Sequence, residues 1–207
     1  MTANGKSDST TKRATQRKVA AVLAGGLVLG VGTMATLASW NDSEFASATF
    51  TAGQFNLEGA VDASQAVFGE HASSAGAGGL TFTAPFNNLT PTDVVAAPFA
   101  VRLAAGTTNN AELKLAAATS TGTVANLTYT VVQTATAGCT TASTGTVIVP
   151  AGTPVTSVSA TTLDLTKGAS AGVAGAPAYL CFKVTAGAAL GQSQTGSVTW
   201  QFQAVSE

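Results

Sequence analysis

The chain has 207 residues and a formal net charge of −1, with only 9% of its residues charged. That length suits one ordinary domain. After residue 38, four bases (Arg102, Lys114, Lys167, Lys183) stand against nine acids, a net charge of −5. This balance argues against nucleic acid and anionic lipid as partners, since both are held by clustered Lys and Arg.

The first 38 residues differ from the rest. Lys6, Lys12, Arg13, Arg17 and Lys18 precede an uncharged run, "VAAVLAGGLVLGVGTMATLA", at 19–38. A basic start, an apolar stretch and a small-residue end are the layout of a secretory signal peptide, helical in its apolar part. Cleavage is expected between Ala38 and Ser39, with Thr36 and Ala38 as the small residues of the site. The alternative is a membrane anchor, because about 20 apolar residues can span a bilayer. Gly25, Gly26, Gly30 and Gly32 favour cleavage. The division expected is a signal peptide at 1–38, a short linking segment at 39–48 and a β domain at 49–207.

From residue 49 onward the apolar period is two. A strand is expected over 49–57, where Phe50 and Ala52 have one parity and Phe55 and Leu57 the other. A bulge at Gly53 would bring both pairs to one face. "HASSAGAGG" at 71–79 reads as a loop. "LTFTAPF" then alternates Leu80, Phe82, Ala84 and Phe86, and "VAAPFAVRL" alternates Val95, Ala97, Phe99, Val101 and Leu103. Leu113, Leu115 and Ala117 follow, in an alanine-rich piece that also admits a helix. Later alternations are Leu127/Tyr129/Val131, Val147/Val149, Leu163/Leu165 and Leu180/Phe182/Val184. The last is Val198/Trp200/Phe202/Ala204. Such alternation means strands with one buried face. About eight short strands separated by Gly, Asn, Pro and Thr turns predict an all-β fold, an antiparallel β-sandwich of jelly-roll type.

Residues with chemical potential are few. The only histidine, His71, lies in the Gly/Ser/Ala loop, and no HExxH zinc motif exists. "GASAG" (Gly168, Ser170, Gly172) fits a nucleophile-elbow spacing, but that motif needs a strand–turn–helix setting and a later histidine. Asp42 and Glu44 are close in sequence, but two carboxylates on a short bridge are more often solvated than cation ligands. No catalytic residue, metal site or cofactor is expected. Cys139 and Cys181 are the only cysteines. Outside the cytoplasm such a pair is more often bridged than free. A bridge there would close a loop that stabilises by about 4 kcal/mol in the chain-entropy description.

The stretch "TLASWNDSEFASATFTAGQFNL" resembles the start of the TasA/camelysin family, whose alternate signal peptide is removed by a SipW-type peptidase. The matching positions are Ala38, Trp40, Asn41, Asp42, Phe50, Gly53, Phe55 and Leu57. "LTPTDVVAAPFAVRLAAGTTNNAEL" and "SVTWQFQAVSE" are weaker echoes. The cysteine-bearing middle is more similar to the alternate-signal exported proteins of actinobacteria. The resemblance implies a jelly-roll subunit of a biofilm-matrix fibre, assembled head to tail. In it the freed segment 39–48 of one copy would complete a sheet of the next, with Trp40 and Phe45 as anchors. Its partners would be further copies of itself, the signal peptidase, and a minor fibre subunit or surface anchor protein. A monomeric secreted adhesin is the alternative. Camelysin's metallo-endopeptidase activity is not expected here, given one loop histidine. The chain stops at Glu207 without an apolar tail, so a covalent wall anchor is not expected.

Overall fold

The computed structural model describes residues 13–24 and 42–207. The chain divides into two compact units, residues 1–50 and 51–207. In the first, residues 13–24 form a helix whose Val19, Val22 and Leu23 are exposed. Residues 42–50 have no regular structure and are exposed throughout. Among the described residues no helix is long and apolar enough to cross a membrane.

The second unit is a sandwich of two antiparallel sheets. Its strands are β1 (Leu57–Ala60), β2 (Val94–Leu103), β3 (Ala111–Gly122), β4 (Leu127–Thr134), β5 (Thr146–Pro154), β6 (Thr162–Leu165), β7 (Ala178–Ala186) and β8 (Gly196–Ser206). One sheet has the order β1-β2-β7-β4-β5 and the other β6-β3-β8. The inward sides of β2, β4 and β7 form the core. Val101, Leu103, Tyr129, Val131, Leu180 and Phe182 are all at most 1% exposed. Rings pack across the sandwich, with Phe182 5.1 Å from Trp200 and 6.0 Å from Phe202 between centroids. The polar tips of the larger rings are satisfied: Tyr129 Oη–H donates to Ser157 O at 2.6 Å, and Trp200 Nε1–H to Val155 O at 3.1 Å. Burial pushes the Tyr129 phenol up to about 12, against a smaller lowering from Trp200.

Three expectations from alternation change. The strand foreseen over 49–57 begins only at Leu57, and Phe50 is 92% exposed. Gly53 makes no bulge. It lies where the chain presses on the crossover between β2 and β3, and a Cβ there would collide with the Thr108 side chain. Gln54 makes an isolated bridge to Thr107. Residues 42–53 have strand-like side chains but pair with no strand among the described residues, and a lone strand has no hydrogen-bond partner.

"LTFTAPF" also forms no strand. Leu80 and Phe82 still pack against the core, and Thr83 N–H donates to Ala96 O at 2.8 Å before the chain turns at Pro85. In β5, Val147 is 51% exposed while Ile148 and Val149 are both buried. The register against β4 slips here, from Val131↔Val149 to Val132↔Val147. The extra residue turns one side chain over, as a bulge does. The alanine-rich piece is strand β3, paired with β8 along its whole length.

Cys139 and Cys181 are bonded, joining the loop after β4 to the centre of β7. Gln65 secures the same region. Its side-chain amide donates to Phe99 O and Leu180 O and accepts from Gly138 N–H at 2.7 Å, although Gln65 is only 1% exposed. A buried amide with every group paired is stabilising, and the same amide unpaired would be costly.

Candidate functional site

A sandwich of open sheets has four edges, and unpaired backbone at an edge accepts further strands unless something prevents it. Three edges here are blunted. β1 has four residues, and Gly69 bonds its outer side through Gly59 at 3.0 and 2.9 Å. β6 also has four residues. β5 carries Pro150 and Pro154 and its register shifts. The fourth edge, β8, is different. It has eleven residues, "GSVTWQFQAVS", with no proline and no charge, and among the described residues it pairs only with β3.

The strand order explains the exposed edge. β2-β7-β4-β5 and β6-β3-β8 follow the double Greek key of a jelly roll, which places the first strand beside the last. Here β1 lies on β2 instead. The position beside β8 therefore has no strand among the described residues. Burial agrees. The inward residues of β8 (Val198, Trp200, Phe202, Ala204) are only half-buried, whereas those of β7 (Leu180, Phe182, Val184) are buried.

Beside this edge the sheets part to leave a cleft of about 770 Å³. Its apolar lining includes Phe82, Phe99, Phe182, Val198, Trp200 and Phe202, and its polar lining includes Asn56, Glu70 and His71. Asn56 Nδ2–H donates to the Glu70 carboxylate, and His71 Nδ1 lies 3.3 Å from Gly76 O. Gly78 lies against Val61 and the His71 ring, so the loop packs closely beside the cleft.

The residues singled out from sequence divide as follows. Ala38, Ser39, Trp40 and Asn41 lie outside the described residues. Asp42, Phe45 and Phe50 are exposed and in no strand. Phe55 and Leu57 line the cleft, and Gly53 lies against Thr108. Ser170 sits in a turn between β6 and β7, where it accepts from Val173 N–H at 3.0 Å, rather than ahead of a helix. Among the described residues no group of three or more His, Cys, Asp or Glu is placed to hold a metal ion.

Sequence reading missed the cleft and Gln65. The half-polar alternation of β8 carried no sign that its outer side lacks a neighbour among the described residues, because pairing partners are set by topology. Compared with known protein families, curated proteins and solved structures, the chain matches none.

Proposed function

We propose that this protein is a secreted structural subunit that assembles head to tail into an extracellular fibre of a biofilm matrix. Its N-terminal segment, freed by a SipW-type peptidase at Ala38–Ser39, adds a strand to the next copy. The observation that carries this reading is β8: a long, uncharged, proline-free edge beside an apolar cleft, at the place where a jelly roll holds its first strand. Strand addition to such an edge supplies backbone hydrogen bonds, and the cleft supplies side-chain specificity. The contact joins two different surfaces of one chain, so it propagates as an open filament rather than closing as a dimer. The disulfide accords with an oxidising, extracellular setting. A minor subunit or a surface anchor protein would start or tether the fibre. No enzymatic role is proposed.

While the signal peptide is attached, the segment is tethered at the membrane, so cleavage acts as the trigger. Negative-stain electron microscopy and sedimentation test this. Protein beginning at Ser39 should form filaments, and the same protein with extra residues ahead of Ser39, or lacking 39–52, should not. Monodisperse particles from the Ser39 form would favour a monomeric adhesin, a reading the roomy cleft also supports.

A further inference from the structure

Resting on that reading, we infer that the incoming strand is Ala46–Ala52 of a second copy, antiparallel to β8, with Phe50 seated in the cleft. In this register the anchor is Phe50, in place of Trp40 and Phe45.

The pattern of the segment selects the face. Ala46, Ala48, Phe50 and Ala52 share one parity, and Ser47, Thr49 and Thr51 the other. The first set is wholly apolar and carries one large side chain, which suits a cleft lined by Phe82, Phe99, Phe182, Trp200 and Phe202. The second is that of an outward, solvated face. Phe45 falls on this polar face. Trp40 shares the parity of Phe50, but so do Asp42 and Glu44. A strand that put Trp40 into the cleft would turn both carboxylates towards the same apolar lining, and burying unpaired charge is costly. The strand therefore begins after Glu44.

The direction of the chain selects the second copy. Gln54 is bridged to Thr107, and Glu207 N–H donates to Asn110 O at 3.0 Å. Gln54 and the C-terminal end of β8 therefore share the crossover end of the sandwich. Antiparallel to β8, a segment entering at that end would finish with Ala52 about 20 Å away, at roughly 3.3 Å per residue. The two steps from Ala52 to Gln54 reach about 7 Å. The same chain can lay the segment on its own β8 only in parallel. All named ladders here are antiparallel, the more stable pairing per residue. A second copy has no such tether.

Peptide binding tests the inference. The Ser39 form carrying Trp40→Phe keeps Trp200 as its one tryptophan, and Trp200 lines the cleft. Below the concentration at which it assembles, it is titrated with the peptide of residues 43–53, following Trp200 emission, while the unmodified Ser39 form is examined for filaments. The 43–53 peptide should bind saturably. The Phe50→Ala peptide should bind about tenfold or more weakly, as losing a buried aromatic requires. The Phe45→Ala peptide should stay within about threefold of the parent. Filaments together with equal binding of the Phe50→Ala peptide, a Phe45→Ala peptide that is the weak one, or no peptide binding, would overturn this inference and leave the fibre reading standing. The expected peptide order without filaments would support the cleft assignment and overturn the fibre reading. Neither binding nor filaments would overturn both.

Discussion

Two carboxylates and one phenol make stability depend on pH at its acid and alkaline limits. Asp62 accepts from the Ser64 hydroxyl, from Val67 N–H at 3.0 Å and from Ala66 N–H at 3.2 Å, and these bonds lower it to about 2. Its contribution is present above the ordinary value of 3.8 and is lost as pH falls through about 2. Asp93 is lowered in the same direction, first by Thr90 N–H and then by the Thr90 hydroxyl. Tyr129 works at the other limit. Its stabilisation is complete below pH 10 and lost as pH rises through about 12. Unfolding midpoints in urea should therefore hold through neutral pH and fall at both extremes, and tyrosinate absorbance should show one tyrosine ionising near 12. At Gln65 the expected effect is larger. Gln65→Leu would remove a bond from each of Phe99 O, Leu180 O and Gly138 N–H and destabilise by about 3 kcal/mol, read from urea unfolding. Nothing in the sequence around "DASQAV" distinguishes this glutamine from a surface one. Its partners lie 34, 115 and 73 residues away.

At the level of strands, the two sides of β8 make opposite predictions. Thr199 and Gln201 point away from the core, so Thr199→Lys with Gln201→Lys should leave the thermal midpoint within a few degrees of the parent. The same pair should abolish or strongly slow filament growth, because edge lysines oppose strand addition. Trp200→Ala, on the inward side, should lower stability by about 3 kcal/mol, since it removes rings packed on Tyr129 and Phe182. Reduction of Cys139–Cys181 should lower stability by about 4 kcal/mol, measured as denaturation with and without a thiol reductant. Strands with clean alternation, such as β2, β7 and β8, were legible from their residues. Bulges were not. The turn of Val147 outward is decided by how β5 meets β4, and no local signal at "TVIVP" marks it.

For the whole molecule, the N-terminal segment and the open edge predict how the proposed assembly would respond to its surroundings. In the unassembled protein residues 42–53 are exposed and in no strand, so Phe45 and Phe50 should be cut readily by chymotrypsin. In filaments Phe50 should be protected. Residues 39–207 carry a net charge of −5, so copies assembling as proposed would repel at low ionic strength. Filament growth should quicken as salt is raised from about 10 mM to 150 mM, where screening shortens from about 30 Å to 8 Å. An assembly rate that fell with salt would indicate instead that the contact depends on opposite charges.

The residues alone determined the class of fold. Period-two alternation demands sheets with one buried face. The two cysteines also declared a bridge from their number and setting. Tertiary structure decided what stands beside what: that β1 lies on β2, that β8 has no outer neighbour among the described residues, and that a cleft opens there. Residues 49–57 read as a strand, and only Leu57 among them lies in one. The reason is physical: alternation fixes which face of a strand is apolar, whereas a strand exists only if another backbone is in reach to complete its hydrogen bonds.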